Sequence, residues 1–103
     1  MTQRILNTAI GDRAVTVLMG WDRALQYHFM VIEYVDGDDA PLYSNLDDDE
    51  AGLQGRLAYF ARQARTVGIE LPAALLARRQ VDEALNLGNA TSTFDVRGAE
   101  TTG

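Results

Sequence analysis

The longest strand-like stretch of the chain covers residues 25–35 and reads Leu-Gln-Tyr-His-Phe-Met-Val-Ile-Glu-Tyr-Val. Successive side chains of a strand point to opposite faces. One face then carries Leu25, Tyr27, Phe29, Val31 and Val35, and the other carries Gln26, His28, Met30, Ile32 and Tyr34. Both faces are mainly apolar, whereas a sheet with one face in water alternates apolar with polar residues. We therefore expect the second face to be covered by the tail of the chain, by another subunit or by a partner.

Two shorter strand patterns precede this stretch, at residues 5–10 and 14–19. The dipeptide Gly11-Asp12 between them predicts a two-residue hairpin turn, because glycine suits the first position of a type II′ turn. Residues 20–23, Gly-Trp-Asp-Arg, predict the next turn. Because the connections are short, an antiparallel meander is the most economical arrangement of the strands.

Two helices are predicted after the strands. The first has apolar residues at helical spacing, namely Leu53, Leu57, Phe60, Ala61, Ala64 and Val67. Gly68 suits the position that ends this helix. Pro72 is expected at the first position of the second helix, and Gly88-Asn89 after its end. The inner face of the second helix is predicted to consist of Leu76, Ala77, Val81, Ala84 and Leu85.

The predicted fold is α+β, an antiparallel β-meander of three or four strands followed by two α-helices packed on one face. Residues 1–88 are expected to form a single domain. Residues 89–103 are small and mainly polar, which predicts a flexible C-terminal tail. A short edge strand containing Phe94 and Val96 is the alternative for this segment.

Composition excludes several classes of protein. A chain of 103 residues with 47% hydrophobic and 23% charged residues is typical of one globular domain. It has no cysteine, which excludes disulfides and thiolate chemistry, and it has no apolar run of the roughly 20 residues that a membrane helix needs. The net charge of −6 argues against direct binding to nucleic acid or to an anionic membrane. We expect a cytoplasmic protein with a protein partner or a second copy of itself as its partner.

The negative charge is concentrated between residues 33 and 50, where eight of the fifteen acids lie. The predicted acidic surface consists of Asp36, Asp38, Asp39, Asp47, Asp48, Asp49 and Glu50. The first three suit a turn after the long strand, and the last four suit the start of a helix, where carboxylates cap free N–H groups. Carboxylate oxygens also bind Mg²⁺ or Ca²⁺, but the spacing lacks the calcium-loop pattern, so neither a metal nor a cofactor is predicted.

No catalytic residue is predicted. His28 is the only histidine, and it lies in mid-strand without a recognisable nucleophile or orienting partner, which is more typical of a packed side chain than of a general base. Trp21 is either an exposed interface anchor or a buried plug at the end of the sheet. Five arginines lie on the helical half, where they form either a binding cluster for anions or a solvated outer face; they are Arg56, Arg62, Arg65, Arg78 and Arg79.

Three short segments carry a resemblance to a family. Residues 42–48 read Leu-Tyr-Ser-Asn-Leu-Asp-Asp, residues 57–60 read Leu-Ala-Tyr-Phe, and residues 67–72 read Val-Gly-Ile-Glu-Leu-Pro. With them the chain resembles, over about residues 4–87, a group of small uncharacterised bacterial proteins. The resemblance implies a β-meander, a Tyr-Ser-Asn-Leu-Asp-Asp loop and a helix ending near Gly-Ile-x-x-Pro. It implies no activity and no functional residue.

The first functional hypothesis is a non-enzymatic protein-interaction module that forms a homodimer, because a second subunit would cover the apolar face of the long strand. The predicted interface residues are Trp21, His28, Met30, Ile32 and Tyr34. One alternative is an acidic inhibitor from a mobile element that imitates the phosphates of nucleic acid. The other is a small metal-dependent enzyme.

Overall fold

The structure, a computed structural model, describes residues 1–37, 40–48, 50–51 and 56–102. The strands are β1 (Thr2–Ile10), β2 (Arg13–Asp22), β3 (Tyr27–Tyr34), β4 (Tyr43–Ser44), β5 (Ala90–Phe94) and β6 (Glu100–Thr102). A 3₁₀ helix covers Asn45–Asp47, and the two long α-helices are α1 (Leu57–Thr66) and α2 (Ala73–Ala84). In the described part of the chain the strands form one sheet in the order β4-β3-β2-β1-β5-β6. All neighbours in it are antiparallel except β1 and β5, which are parallel.

The α+β class and the two helices are confirmed, and so is the meander of the first three strands. Ile10 pairs with Arg13, so Gly11-Asp12 is the two-residue turn, and Gly11 has the positive φ of 62° that such a turn requires. The second turn is not at residues 20–23 as predicted. β2 continues to Asp22 because Trp21 pairs with His28 and joins the buried face of the sheet.

The predicted sheet of three or four antiparallel strands is wrong, because the described residues form a mixed sheet of six strands. The segment that was expected to be a flexible tail supplies two of them, and β5 pairs in parallel with β1 from Thr2 opposite Ala90 to Leu6 opposite Phe94. The alternation of β-branched with other residues in Ala-Thr-Ser-Thr-Phe suits a strand. Phe94 is fully buried and adds to the core, but β5 lies between β1 and β6 and not at the edge of the sheet, and Val96 follows the strand and is exposed.

The core lies between one face of the sheet and the two helices. The expected stripe of α1 is confirmed, because Phe60, Ala61 and Ala64 are buried and Val67 is partly buried. Leu53, the first residue of that predicted stripe, lies outside the described residues. α1 ends as predicted, since Gly68 follows its last turn with a φ of 92°.

The inner face of α2 differs from the prediction. Its fully buried residues are Leu75, Arg79 and Asp82, whereas Val81 and Leu85 are 39% and 65% exposed. Ala77 and Ala84 are exposed as well, and Leu76 is the only member of the predicted set that packs against the core. The helix is rotated because the two charged residues meet partners on the sheet, as described below. Pro72 precedes the helix as its N-cap, and the helix already ends at Ala84.

None of the described helices is long and apolar enough to cross a membrane.

Candidate functional site

The five predicted interface residues all lie on the sheet face that the helices cover. Met30 and Ile32 are fully buried, Trp21 and His28 are 4% and 5% exposed, and Tyr34 is partly buried against the core. The indole N–H of Trp21 donates to the side-chain oxygen of Asn86 at 3.0 Å, so the tryptophan is the buried plug of the two alternatives. The chain therefore covers this face itself, and the opposite face of β3 is the one on which no described helix packs.

That opposite face, which we call the open face, carries an apolar row across three strands. Ile5 pairs with Leu18 and Leu18 pairs with Val31, so the three side chains stand side by side on β1, β2 and β3. Phe29 lies next to this row, opposite Gly20. All four large side chains are only partly buried, because α1 and α2 pack on the other face and no described helix covers this one.

The surroundings of the row are nearly free of charge. The alternation of the strands places mainly neutral residues around it, namely Gln3, Asn7, Thr16, Tyr27, Thr91 and Thr93. Among the described strand residues of the open face, Asp22 and Glu33 are the only acids, and no base is present. For a chain with a net charge of −6, this is a surface of low charge density.

The outward face of α2 carries a second apolar stripe at helical spacing. It consists of Ala74, Ala77, Val81 and Leu85. A shallow groove of about 340 Å³ runs along the first three of these residues between Arg78 and Glu100. Arg78 and Glu100 are paired with each other at 2.8 Å, so the charged rim of the groove is neutralised within the chain.

Part of the predicted acidic surface forms a pocket together with two tyrosines. The pocket has a volume of about 570 Å³ and is lined by Tyr43, Asp47, Asp48, Glu50, Tyr59 and Gln63. The hydroxyl groups of Tyr43 and Tyr59 donate to the same oxygen of Asp48 at 2.7 and 2.6 Å. These hydrogen bonds lower the pKa of Asp48, because they stabilise its charged form.

The pKa values of the two tyrosines are shifted in the opposite direction. Burial and then the hydrogen bond to Asp48 raise the pKa of Tyr43. The hydrogen bond to Asp48, with some burial, raises the pKa of Tyr59 to about 12. The pocket therefore holds an ionised carboxylate beside two neutral phenols, an arrangement that suits a cationic group rather than an anion.

The other predicted acids do not join this pocket. Asp36 is exposed and lies 3.5 Å from Arg13, whose guanidinium stacks on the ring of Tyr34. Asp38, Asp39 and Asp49 lie outside the described residues. Within the described ranges, no three histidine or carboxylate side chains are grouped so that they could hold a metal ion.

A buried ionic cluster connects α2 to the sheet. Asp82 accepts two hydrogen bonds from Arg4 on β1, at 3.0 and 2.7 Å, and a third from Arg79 one turn earlier on α2. Arg79 and Asp82 are fully buried and Arg4 is nearly so. Ser92 on β5 accepts a further hydrogen bond from Arg4 at 2.9 Å. Burial opposes ionisation of Asp82, but the two arginines outweigh it and hold its pKa below the usual range.

The cluster extends to His28 and fixes its tautomer. Nη2 of Arg79 lies 2.7 Å from Nδ1 of His28. Because a guanidinium can only donate, Nδ1 must be the unprotonated acceptor, and the ring proton is on Nε2. Nε2 then donates to the carboxylate of Glu83 at 3.2 Å. Burial and the charge of Arg79 lower the pKa of His28, so the imidazole is neutral.

Sequence reasoning missed this cluster. The five arginines of the helical half do not come together, since Arg65 pairs with Glu70, Arg78 pairs with Glu100 and Arg79 is buried. The sequence does contain one sign that Arg79 and Asp82 face the core. Together with Leu75 they follow the i, i+4, i+7 spacing of a single helix face. With nine arginines and fifteen acids in the chain, the sequence could not show that Arg4 is the partner of Asp82.

No protein family, no curated protein and no solved structure was found to match the chain. The resemblance to the small bacterial proteins with a Tyr-Ser-Asn-Leu-Asp-Asp loop stays a prediction.

Proposed function

We propose that the protein is a non-enzymatic interaction module that forms a homodimer through its open face. The observation that carries the proposal is the apolar row Ile5–Leu18–Val31 with Phe29 beside it, on a sheet face without a described helix. Burying such a row is favourable by roughly 25 cal/mol per Å² of apolar surface. The reasoning is the same as for the predicted interface on β3, but it applies to the opposite face of the strand.

The open face approaches the size of a specific interface. Its six strands have 9, 10, 8, 2, 5 and 3 residues, and at about 3.3 Å per residue along a strand and about 4.8 Å between strands they cover about 590 Å². A specific interface buries about 800 Å² per partner, so the strands would supply about three quarters of it and the adjoining turns the rest.

A second copy of the chain is the partner that the charge distribution favours. Two molecules with a net charge of −6 repel each other least where their surfaces carry few charges, and the open face has that property. Face-to-face packing of two sheets is a common arrangement, and a twofold axis would place the same apolar row on both sides of the contact.

The proposal is tested by a charge placed in the middle of the row. Leu18→Asp should yield a monomer in sedimentation velocity at a concentration where the unmodified protein sediments as a dimer. Leu46→Asp is the matched control, because Leu46 is 81% exposed on the 3₁₀ helix and should leave the dimer intact. An unmodified protein that sediments as a monomer at high micromolar concentration would refute the proposal.

The acidic pocket supports a second candidate function, which is binding of a basic protein segment. Its two tyrosines hold the Asp48 carboxylate in place, and Asp47 and Glu50 add negative charge around it. An arginine or lysine side chain of a partner would meet the ionised carboxylate of Asp48 there. An inhibitor that imitates nucleic acid would use the same surface.

This second function is tested by neutralisation of Asp47, Asp48 and Asp49 to asparagine together. The triple variant should lose affinity for an arginine-rich peptide in isothermal titration, and the affinity of the unmodified protein should fall with added salt. Glu70→Gln is the control, because it removes an acid that is paired with Arg65 away from the pocket. Equal binding by the triple variant and the control would exclude the acidic pocket as a docking site.

A further inference from the structure

A second polar cleft lies between the start of α1 and the middle of α2. It has a volume of about 270 Å³ and is lined by His28, Arg56, Leu57, Ala58, Gln80 and Glu83. The volume equals that of about nine water molecules at about 30 Å³ each, which is below the usual size of a pocket for a drug-sized ligand. The cleft is therefore suited to a small molecule.

The floor of the cleft has a fixed hydrogen-bond donor. His28 is 5% exposed, and its tautomer is set by Arg79 behind it, so its Nε2–H points away from that arginine. A group in the cleft therefore meets a donor that cannot become an acceptor while Arg79 stays in place.

The charge behind the floor is positive. Three arginines, Arg4, Arg78 and Arg79, stand there against two acids, Asp82 and Glu100, which leaves one positive charge in excess. Arg56 adds a further positive charge at the wall of the cleft, and its guanidinium has no hydrogen bond or ion pair with another described residue. An anion in the cleft would be stabilised by both sources of charge.

The chain already places a carboxylate of its own against the Nε2–H group of His28. Glu83 makes one hydrogen bond to His28 at 3.2 Å, while its side chain is 54% exposed. It is held much less firmly than Asp82, which accepts three hydrogen bonds and is fully buried. A solvent-exposed glutamate can rotate away and leave the donor of His28 to another carboxylate.

From these contacts we infer that the cleft is a binding site for a small carboxylic acid, whose carboxylate takes the place of Glu83 on His28 and is also held by Arg56. The Gln80 amide lines the same cleft and is available for a second polar group of the ligand. The site is separate from the open face, so it does not depend on dimerisation.

The single histidine makes a direct test possible, because ¹⁵N-labelled imidazole contributes one pair of side-chain signals. Acetate, succinate and inorganic phosphate are titrated separately above neutral pH, with chloride holding the ionic strength constant. A carboxylate should move the Nε2 signal of His28 in a saturable manner, and phosphate should bind more weakly. Saturation by phosphate alone would overturn the assignment of the ligand class.

Two variants at exposed positions determine whether the site is the one described. Glu83→Gln should bind the carboxylate at least about tenfold more tightly, because a like charge is removed from the site and the neutral amide competes less strongly for the Nε2–H group of His28. Arg56→Gln should bind it at least about tenfold more weakly. Arg62→Gln is the matched control, since Arg62 lies beside Tyr59 on α1 and does not line the cleft. A linear, unsaturable shift in both the unmodified protein and Glu83→Gln, or equal behaviour of the two arginine variants, would overturn the proposal.

Discussion

Replacement of Asp82 by asparagine should destabilise the fold by about 3–5 kcal/mol, the usual result of removing one partner of a buried ion pair. Asparagine has nearly the same shape, but its amide group offers one oxygen where the carboxylate accepts three hydrogen bonds. An amide oxygen in the place of Oδ2 keeps two of these hydrogen bonds, while the one from Nη2 of Arg4 is lost at about 1.5–3 kcal/mol and an amide N–H group faces that donor instead. Arg79 would remain buried without the carboxylate it pairs with, and Arg4 would keep Glu100 at 3.7 Å as its counter-charge; these uncompensated charges supply the rest of the expected loss.

The measurement is urea unfolding followed by the fluorescence of Trp21, the only tryptophan, which is buried beside His28. A loss of about 4 kcal/mol should lower the midpoint by about 2 M at a slope of about 2 kcal/mol per M. Glu70→Gln is the control, because it removes an exposed pair and should leave the midpoint unchanged. A loss below about 1 kcal/mol for Asp82→Asn, the size of a surface ion pair, would refute the account of the cluster.

Three further results are expected. Burial and the adjacent Arg79 guanidinium lower the pKa of His28, so the folded protein binds fewer protons than the unfolded chain. The free energy of unfolding should therefore fall as the pH drops below about 6.5 towards that lowered pKa. In His28→Gln the urea midpoint should fall less over the same pH range. Tyr59 should ionise only near pH 12, and in ultraviolet titration Asp48→Asn should bring that transition to lower pH. Gly20→Ala should cost at least about 1–3 kcal/mol in urea unfolding, because a Cβ at this position would collide with the ring of Phe29 and with the backbone oxygen of Thr2, and an unchanged midpoint would contradict this packing.

Local patterns were sufficient to predict the first three strands and α1. Gly11-Asp12 set the first hairpin, and the apolar spacing from Leu57 to Ala64 identified the buried side of the helix. A strand at β5 was predicted only as an alternative to a flexible tail, because its partner β1 is 88 residues away in the chain and three of its five residues are threonine or serine. Ser92 is small and polar because it accepts a hydrogen bond from buried Arg4, and this requirement is visible only after the chain has folded.

The interface residues predicted on β3 lie on the side of the strand that the helices cover. Both faces of the strand are apolar, so the alternation alone could not show which face the helices cover. The inner side of α2 was mispredicted because an apolar side chain is normally a better candidate for burial than a charged one. Here the charged residues Arg79 and Asp82 meet Arg4 and His28 on the sheet, and the apolar stripe with Val81 and Leu85 turns outward.

The buried ionic cluster also specifies how α2 is rotated about its own axis. The helix has apolar residues on two sides, and hydrophobic burial by itself scarcely distinguishes the side of Leu75 from the side of Val81. Only one rotation brings Asp82 to Arg4. Replacing the charged residues of the cluster together by apolar residues of similar volume should therefore preserve stability while allowing α2 to dock in more than one orientation. In this chain, the residues that make the packing of α2 unique differ from those that supply most of the hydrophobic free energy.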